Sequence, residues 1–127
     1  MSDYLLDTNI IIDYLRNDSR KVEYLEKLLQ GGSLLHSCEI TVAETFSGMY
    51  ENERALTEEF ISSLHYLTLG EKTARKAGEF RHSYRSKGKQ LTLADALIAS
   101  ISIDNNLILL TDNLKDYPMP ELQKMKP

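Results

Sequence analysis

Tryptophan is absent from the chain, cysteine occurs once, and proline and histidine occur three times each. The single thiol, Cys38, excludes an internal disulfide and a cysteine-based zinc site; a free cysteine of this kind is expected to be a buried packing residue. His36, His65 and His82 show no i, i+4 pairing, so they read as structural or surface groups rather than metal ligands. No apolar run approaches the roughly 18 to 20 residues that cross a bilayer. The start, MSDYLLDTN, has neither a basic opening nor a long apolar stretch, and a cytoplasmic location is expected. Repeats, low-complexity segments and linkers are also missing.

What is present is ordinary for a folded chain. With 127 residues, 42% hydrophobic and 27% charged, the sequence fits one domain over residues 1–127 and neither a disordered nor a fibrous class. A formal charge of −4 argues against a protein that coats nucleic acid, because phosphate binding rests on Lys and Arg. The charge is uneven, however. Residues 72–89 carry Lys72, Arg75, Lys76, Arg81, Arg85, Lys87 and Lys89 against Glu79 alone. A basic stretch in an acidic protein suits an enzyme that holds a polyanion beside metal-binding carboxylates, and Arg16 could add to it; a solvated helix face is the plainer reading.

Tyr4-Leu5-Leu6-Asp7 reads as a short strand ending on a carboxylate, followed by a helix capped near Thr8 or Asn9 and burying Ile10, Ile11, Tyr14 and Leu15. Asn17-Asp18-Ser19 ends that helix and caps another, with Val22, Leu25, Leu28 and Leu29 as its stripe, until Gly31-Gly32. Strands are expected over 33–38 and 64–69, with helices to about Gly48 and within 53–63. Residues 71–86 predict a charged helix whose inner stripe is Ala74, Ala77, Phe80 and Tyr84. Thr92 opens the most apolar helix, and Leu107-Ile108-Leu109-Leu110-Thr111 is a fully buried strand of the parallel-sheet kind. A last short edge strand is expected near Met125. Strands alternating with helices imply a parallel sheet covered on both faces, with sites at the carboxyl ends of its strands.

That edge is where the polar residues gather. Asp7 ends the first strand; Thr111 and Asn113 end the last strong one. Asp95 interrupts Leu93-Ala94 and Ala96-Leu97-Ile98-Ala99, and no Lys or Arg occurs between Gln90 and Asn113. An ionised carboxylate among such neighbours costs several kcal/mol without a cation, which makes a metal ion the natural counter-charge. Glu44 lies in the similarly apolar Val42-Ala43-Glu44-Thr45-Phe46. Taken singly, each acid has a plainer reading: Asp7 as a turn cap, Asp95 as a first-turn residue behind Thr92, Glu44 as an exposed helical Glu. Their convergence on one edge favours the shared site.

Leu6-Asp7-Thr8-Asn9, Thr41-Val42-Ala43-Glu44, Leu93-Ala94-Asp95-Ala96-Leu97-Ile98-Ala99, and Leu110-Thr111-Asp112-Asn113 with Lys115-Asp116-Tyr117 together resemble the PIN domain nucleases, in particular the VapC-like toxins. The resemblance covers nearly the whole chain in the family's order. It implies a three-layer α/β/α sandwich with a central parallel β-sheet, Mg²⁺- or Mn²⁺-dependent endoribonuclease activity on RNA, and a cognate antitoxin. It also suggests a homodimer, with residues 22–29 and 60–64 supplying apolar surface. By position, Asp7, Glu44 and Asp95 match the family's metal-site acids, and Asn9 and Thr111 its supporting polar groups. Asn113 matches the fourth position; strand alternation would point Asp112 elsewhere, whereas a chain that has already turned would bring in Asp112 or Asp116.

Mg²⁺ is a hard cation that takes oxygen ligands and keeps several waters, so the ligand set and the expected chemistry agree. Two rivals stand beside this reading. A receiver-type phosphoacceptor domain shares the length and strand-end acids, and Lys124 or Lys126 before Pro127 hints at its terminal Lys-Pro. It needs adjacent acids after the first strand, where Thr8 follows Asp7. The other rival is a PIN-like module that binds RNA or protein with little or no catalysis, which Asn113 in place of a carboxylate would suit. Tyr14, Tyr50 and Tyr84 read as core or interface residues rather than base-stacking platforms.

Overall fold

Leu5 and Leu6 have no exposed surface and Tyr4 very little, which is the pattern of a strand covered on both faces. In the computed structural model, which describes residues 2–127, β1 (Tyr4–Leu6) is the middle strand of a parallel sheet. The sheet also contains β2 (Leu35–Cys38), β3 (His65–Leu67), β4 (Ile108–Leu110) and β5 (Gln123–Met125) in the order β3-β2-β1-β4-β5. Every carboxyl end therefore lies along one edge. Side chains alternate across the sheet. Leu5 and Leu109 join Ala77, Ala96, Ile98 and Ile101 on one face, under α5 (Glu71–Ser86) and α6 (Leu93–Asp104). Tyr4, Leu6, Leu35 and Leu110 meet Ile10, Ile11, Leu25 and Phe60 on the other, under α1 (Thr8–Leu15), α2 (Ser19–Gln30) and α4 (Arg54–Ser63). The result is the three-layer α/β/α sandwich. Each fully buried Leu or Ile contributes about 1.5–3 kcal/mol of transfer free energy to holding the layers together.

The local signals act mostly where their chemistry places them. Asp18 caps α2 by accepting from the Arg20 and Lys21 amides at 3.1 and 3.3 Å, after Asn17 turns the chain with φ 64°. Gly32, at φ 89°, closes the same helix. α3 (Glu39–Gly48) follows β2 with no loop at all, because Thr41 Oγ1 accepts from the Cys38 amide at 3.0 Å and so caps the chain as it leaves the sheet. Cys38 is buried as expected. No helix among the described residues is long and apolar enough to cross a membrane.

Three expectations shift, the simplest being Leu29 of the α2 stripe, which is 50% exposed. The cap of α1 is Asp7 rather than Thr8 or Asn9: its carboxylate accepts from the Thr8 amide at 2.9 Å while its own amide donates to Leu110 O at 2.9 Å. On α5, Ala74 is exposed and Thr73 faces inward, its hydroxyl donating to Asp104 Oδ2 at 2.6 Å. An alanine stripe leaves the phase of a charged helix undetermined by one residue, and the hydrogen bond to α6 sets it.

Candidate metal centre

At the carboxyl edge of the sheet a cleft of about 170 Å³ is lined by Asp7, Asn9, Glu44, Asp95, Asn113, Asp116 and Tyr117, with Thr8. These residues come from the end of β1, from α1, α3 and α6, and from the chain after β4, so distant segments meet here as the sequence predicts. Asp7 is the most enclosed acid, with 8% of its surface exposed. Its Oδ2 accepts from Thr111 Oγ1 at 2.8 Å and from the Tyr117 hydroxyl at 3.0 Å. Burial raises its pKa above the ordinary carboxylate value; its hydrogen bonds act against that rise and the Glu44 charge adds a little to it. Asp95 is half-buried in the first turn of α6, behind the Thr92 cap, whose hydroxyl accepts from the Asp95 amide at 3.1 Å. Its pKa is also raised, first by burial, with smaller contributions from the charges of Asp7 and Asp116.

Glu44 lies on the exposed side of α3, where Thr41 and Thr45 rather than apolar neighbours are buried, and its Oε1 accepts from the Thr8 hydroxyl at 2.6 Å. Beyond Leu110 the strand has ended. Thr111, fully buried, aims its hydroxyl at Asp7 and accepts from the Asn113 amide at 3.0 Å, which folds the chain over so that Asn113 lines the cleft. Asp112 points away and pairs with Lys21 at 3.0 Å. Asp116 enters the cleft from a 3₁₀ turn at Leu114–Asp116. Of the open alternatives for the fourth position, Asn113 and Asp116 therefore face the site and Asp112 does not.

Spacing along the sequence does not single out Tyr117, and the structure makes it central. It is 1% exposed, and its hydroxyl lies 3.0 Å from Asp7 Oδ2 and 3.1 Å from Asp95 Oδ1. Burial and the two neighbouring carboxylates push its pKa far upward, so it is a neutral hydroxyl at any working pH. The Lys124 ammonium donates to the carbonyls of Leu114 and Tyr117 at 2.8 and 2.5 Å and pins this turn against β5. The sequence signal was slight: an aromatic at the end of an acidic turn, just before Pro118.

The donor set suits a hard cation. Every lining side chain offers oxygen, and none of Asp7, Glu44, Asp95 or Asp116 forms a salt bridge among the described residues. In this arrangement no three acidic, histidine or cysteine side chains among the described residues converge closely enough to chelate one ion. Like charges repel, and three of the four acids have turned to a hydroxyl: Asp7 to Thr111 and Tyr117, Asp95 to Tyr117, Glu44 to Thr8.

The raised pKa of Asp95 has a measurable consequence. A carboxyl whose folded pKa exceeds its unfolded value contributes stability below about pH 4 and loses it as pH rises through the folded pKa. In EDTA, Asp95→Asn should therefore melt near wild type at pH 4 and above it at pH 7. A constant offset at both pH values would contradict the assignment.

The model of the PIN domain family matches residues 4–116. Ribonuclease VapC19 of Mycobacterium tuberculosis is 33% identical to this chain, the match covering 94% of the chain and 96% of the relative. Ribonuclease VapC2 of Haemophilus influenzae is 31% identical, covering 92% and 91%. Among solved structures, VapBC2 from Rickettsia felis, bound to a DNA fragment from its promoter, superposes with a TM-score of 0.84 at 26% identity over 98% of both chains. The chain belongs to the PIN domain family, and its three-layer fold is that of the PIN-domain subunits in such complexes.

Proposed function

We propose that this protein is a metal-dependent endoribonuclease, the toxin of a toxin–antitoxin pair, and that its cleft binds Mg²⁺, with Mn²⁺ as a substitute. The observation that carries the reading is the all-oxygen cleft at the carboxyl edge of the sheet, in a chain similar to ribonucleases over nearly its full length. Asp7 and Asp95 are the core ligands, Glu44 a ligand directly or through water, and Asn9, Thr111 and Asn113 the groups that orient ligands and water. A divalent ion bound there supplies the charge that lowers the pKa of a water and stabilises the attacking and leaving oxygens of a phosphodiester. The chain does the rest. Thr111 fixes the Asp7 rotamer, the Thr92 cap fixes the start of α6 beneath Asp95, and Glu44 closes the cleft from α3. The test is cleavage of RNA by the purified protein: activity abolished by EDTA and restored by excess Mg²⁺ is expected, whereas cleavage indifferent to EDTA would overturn the metal assignment.

The same reading includes a protein partner. A groove of about 400 Å³ runs between α1, α2 and α4; Tyr14, Leu15, Val22, Leu56 and Phe60 form its apolar part, with Leu56 60% exposed, and Asn17, Glu26, Glu59 and Ser63 its polar part. Exposed apolar side chains rimmed by polar ones mark an interaction surface, and a segment of a cognate antitoxin is the proposed occupant, by analogy with the complexes that the structural neighbours form. Self-association through residues 22–29 and 60–64, the homodimer suggested by the family, uses part of the same face. Leu56→Glu should weaken capture of the co-expressed antitoxin by at least about 10-fold, the order expected for a charge placed in an apolar contact; unchanged capture would move the antitoxin elsewhere.

A further inference from the structure

Beside the carboxylate cleft lies a second hollow of about 260 Å³, lined by Lys89, Gln90, Thr92, Asp95, Lys115 and Asp116. Asp95 and Asp116 line both, so the two adjoin. The lysines that give the hollow its character come from separate segments, the loop between α5 and α6 and the 3₁₀ turn after β4, and the Lys89 ammonium donates to Lys115 O at 3.3 Å across the gap. The loop itself is braced: the Lys89 amide donates to Tyr84 O at 2.9 Å, and Arg81 Nε donates to Leu91 O at 2.9 Å. Gly88, at φ 76°, makes the turn that allows this.

Several of the other basic side chains are committed to carboxylates. In the basic stretch, Arg75 pairs with Glu71 and Lys76 with Asp104; elsewhere Arg16 pairs with Glu53 and Lys21 with Asp112. Lys89 and Lys115 form no salt bridge among the described residues. Lys89 and Lys115 line the hollow together with two acids, Asp95 and Asp116, that also line the metal cleft. A divalent cation on those carboxylates leaves the lysine charge uncompensated, which makes the hollow attractive to an anion only when the metal site is filled.

We propose that this hollow seats the backbone phosphate of the nucleotide next to the scissile bond, with Lys89 and Lys115 as its cationic ligands. The proposal rests on the nuclease reading and adds to it a substrate subsite, whose occupancy depends on the metal. A lysine on a phosphate carries charge but no base information, so the contact sets the position of the RNA strand and not its sequence preference.

The test is binding of a fluorescein-labelled single-stranded RNA to the full chain, followed by anisotropy over a KCl series in Ca²⁺ and again in EDTA, together with cleavage kinetics in Mg²⁺. Lys89→Ala and Lys115→Ala should each lower the slope of log affinity against log salt by about 0.7 in Ca²⁺, the loss of one single-strand phosphate contact. They should raise KM by about 3- to 10-fold, leave kcat near wild type, and have little effect in EDTA. Lys27→Ala on α2 is the control and should change neither slope nor KM. Wild-type protein that cleaves RNA while the two variants keep its salt slope overturns the hollow alone. Wild-type protein that neither binds nor cleaves RNA overturns the nuclease reading, and the hollow with it.

Discussion

Asp7→Asn is expected to fold, to melt no lower than wild type in EDTA, and to lose RNA cleavage by at least about 10²- to 10³-fold, the range found when one charge-stabilising group of a preorganised site is removed. Both halves follow from the contacts of Asp7. Asparagine caps a helix as well as aspartate does, so its side-chain oxygen can keep the bond from the Thr8 amide. Its NH₂ group would face the hydroxyls of Thr111 and Tyr117, which can rotate from donating to accepting. The buried negative charge disappears, and with it the penalty that raises the pKa of this residue. What cannot be replaced is the anionic oxygen for a hard cation. Melting curves and an RNA cleavage assay on the same preparation check the prediction; a variant that unfolds, or one that cleaves at the wild-type rate, contradicts it.

Tyr117→Phe has the second largest expected effect, and its size depends on metal. Among the described residues, the Tyr117 hydroxyl is the one group within hydrogen-bond reach of both Asp7 and Asp95. Its proton satisfies one carboxylate at a time, but it keeps both acids facing a shared donor rather than each other. Hydrogen bonds to charged groups contribute about 1.5–3 kcal/mol, so in EDTA the variant should melt roughly 4–10 °C lower than wild type. A divalent cation attracts the same two carboxylates and takes over that function, so saturating Mn²⁺ should remove most of the difference. An equal loss with and without Mn²⁺ would make Tyr117 a packing residue only, since the phenyl ring retains its place in the core.

The contrast between Asp7 and Tyr117 shows what the sequence could and could not carry. Strand and helix order was readable because period-two and period-3.6 patterns are properties of consecutive residues: Leu5 and Leu109 against Leu6 and Leu110, or Ile10 and Ile11 beneath the sheet. The rule that sites form at strand ends then placed Asp7 and Thr111 together. Asp95 stood out because a charge among Leu, Ala and Ile has a cost visible in one dimension. The segment 111–117 was harder. Whether Asp112, Asn113 or Asp116 faces the cleft depends on β4 stopping at Leu110 and on one bond from the Asn113 amide to Thr111, and strand ends are set by tertiary pairing. Tyr117 was illegible for the same reason: its role is a distance to two residues more than twenty positions away. The basic stretch, finally, read as one feature but divides in three dimensions, with Arg75 paired to Glu71 on its own helix, Lys76 and Arg81 tying α5 to α6 and to the loop before it, and Lys89 reaching the hollow beside the metal cleft.

Metal-dependent cleavage at this cleft requires that a divalent ion enter it and draw Asp7 and Asp95 away from the Tyr117 hydroxyl. An anomalous difference map from a crystal soaked in Mn²⁺ reads this directly. A peak bonded to oxygens of both aspartates is the predicted result, and Mn²⁺ found only at other acids, with Tyr117 still joining the two, would contradict it.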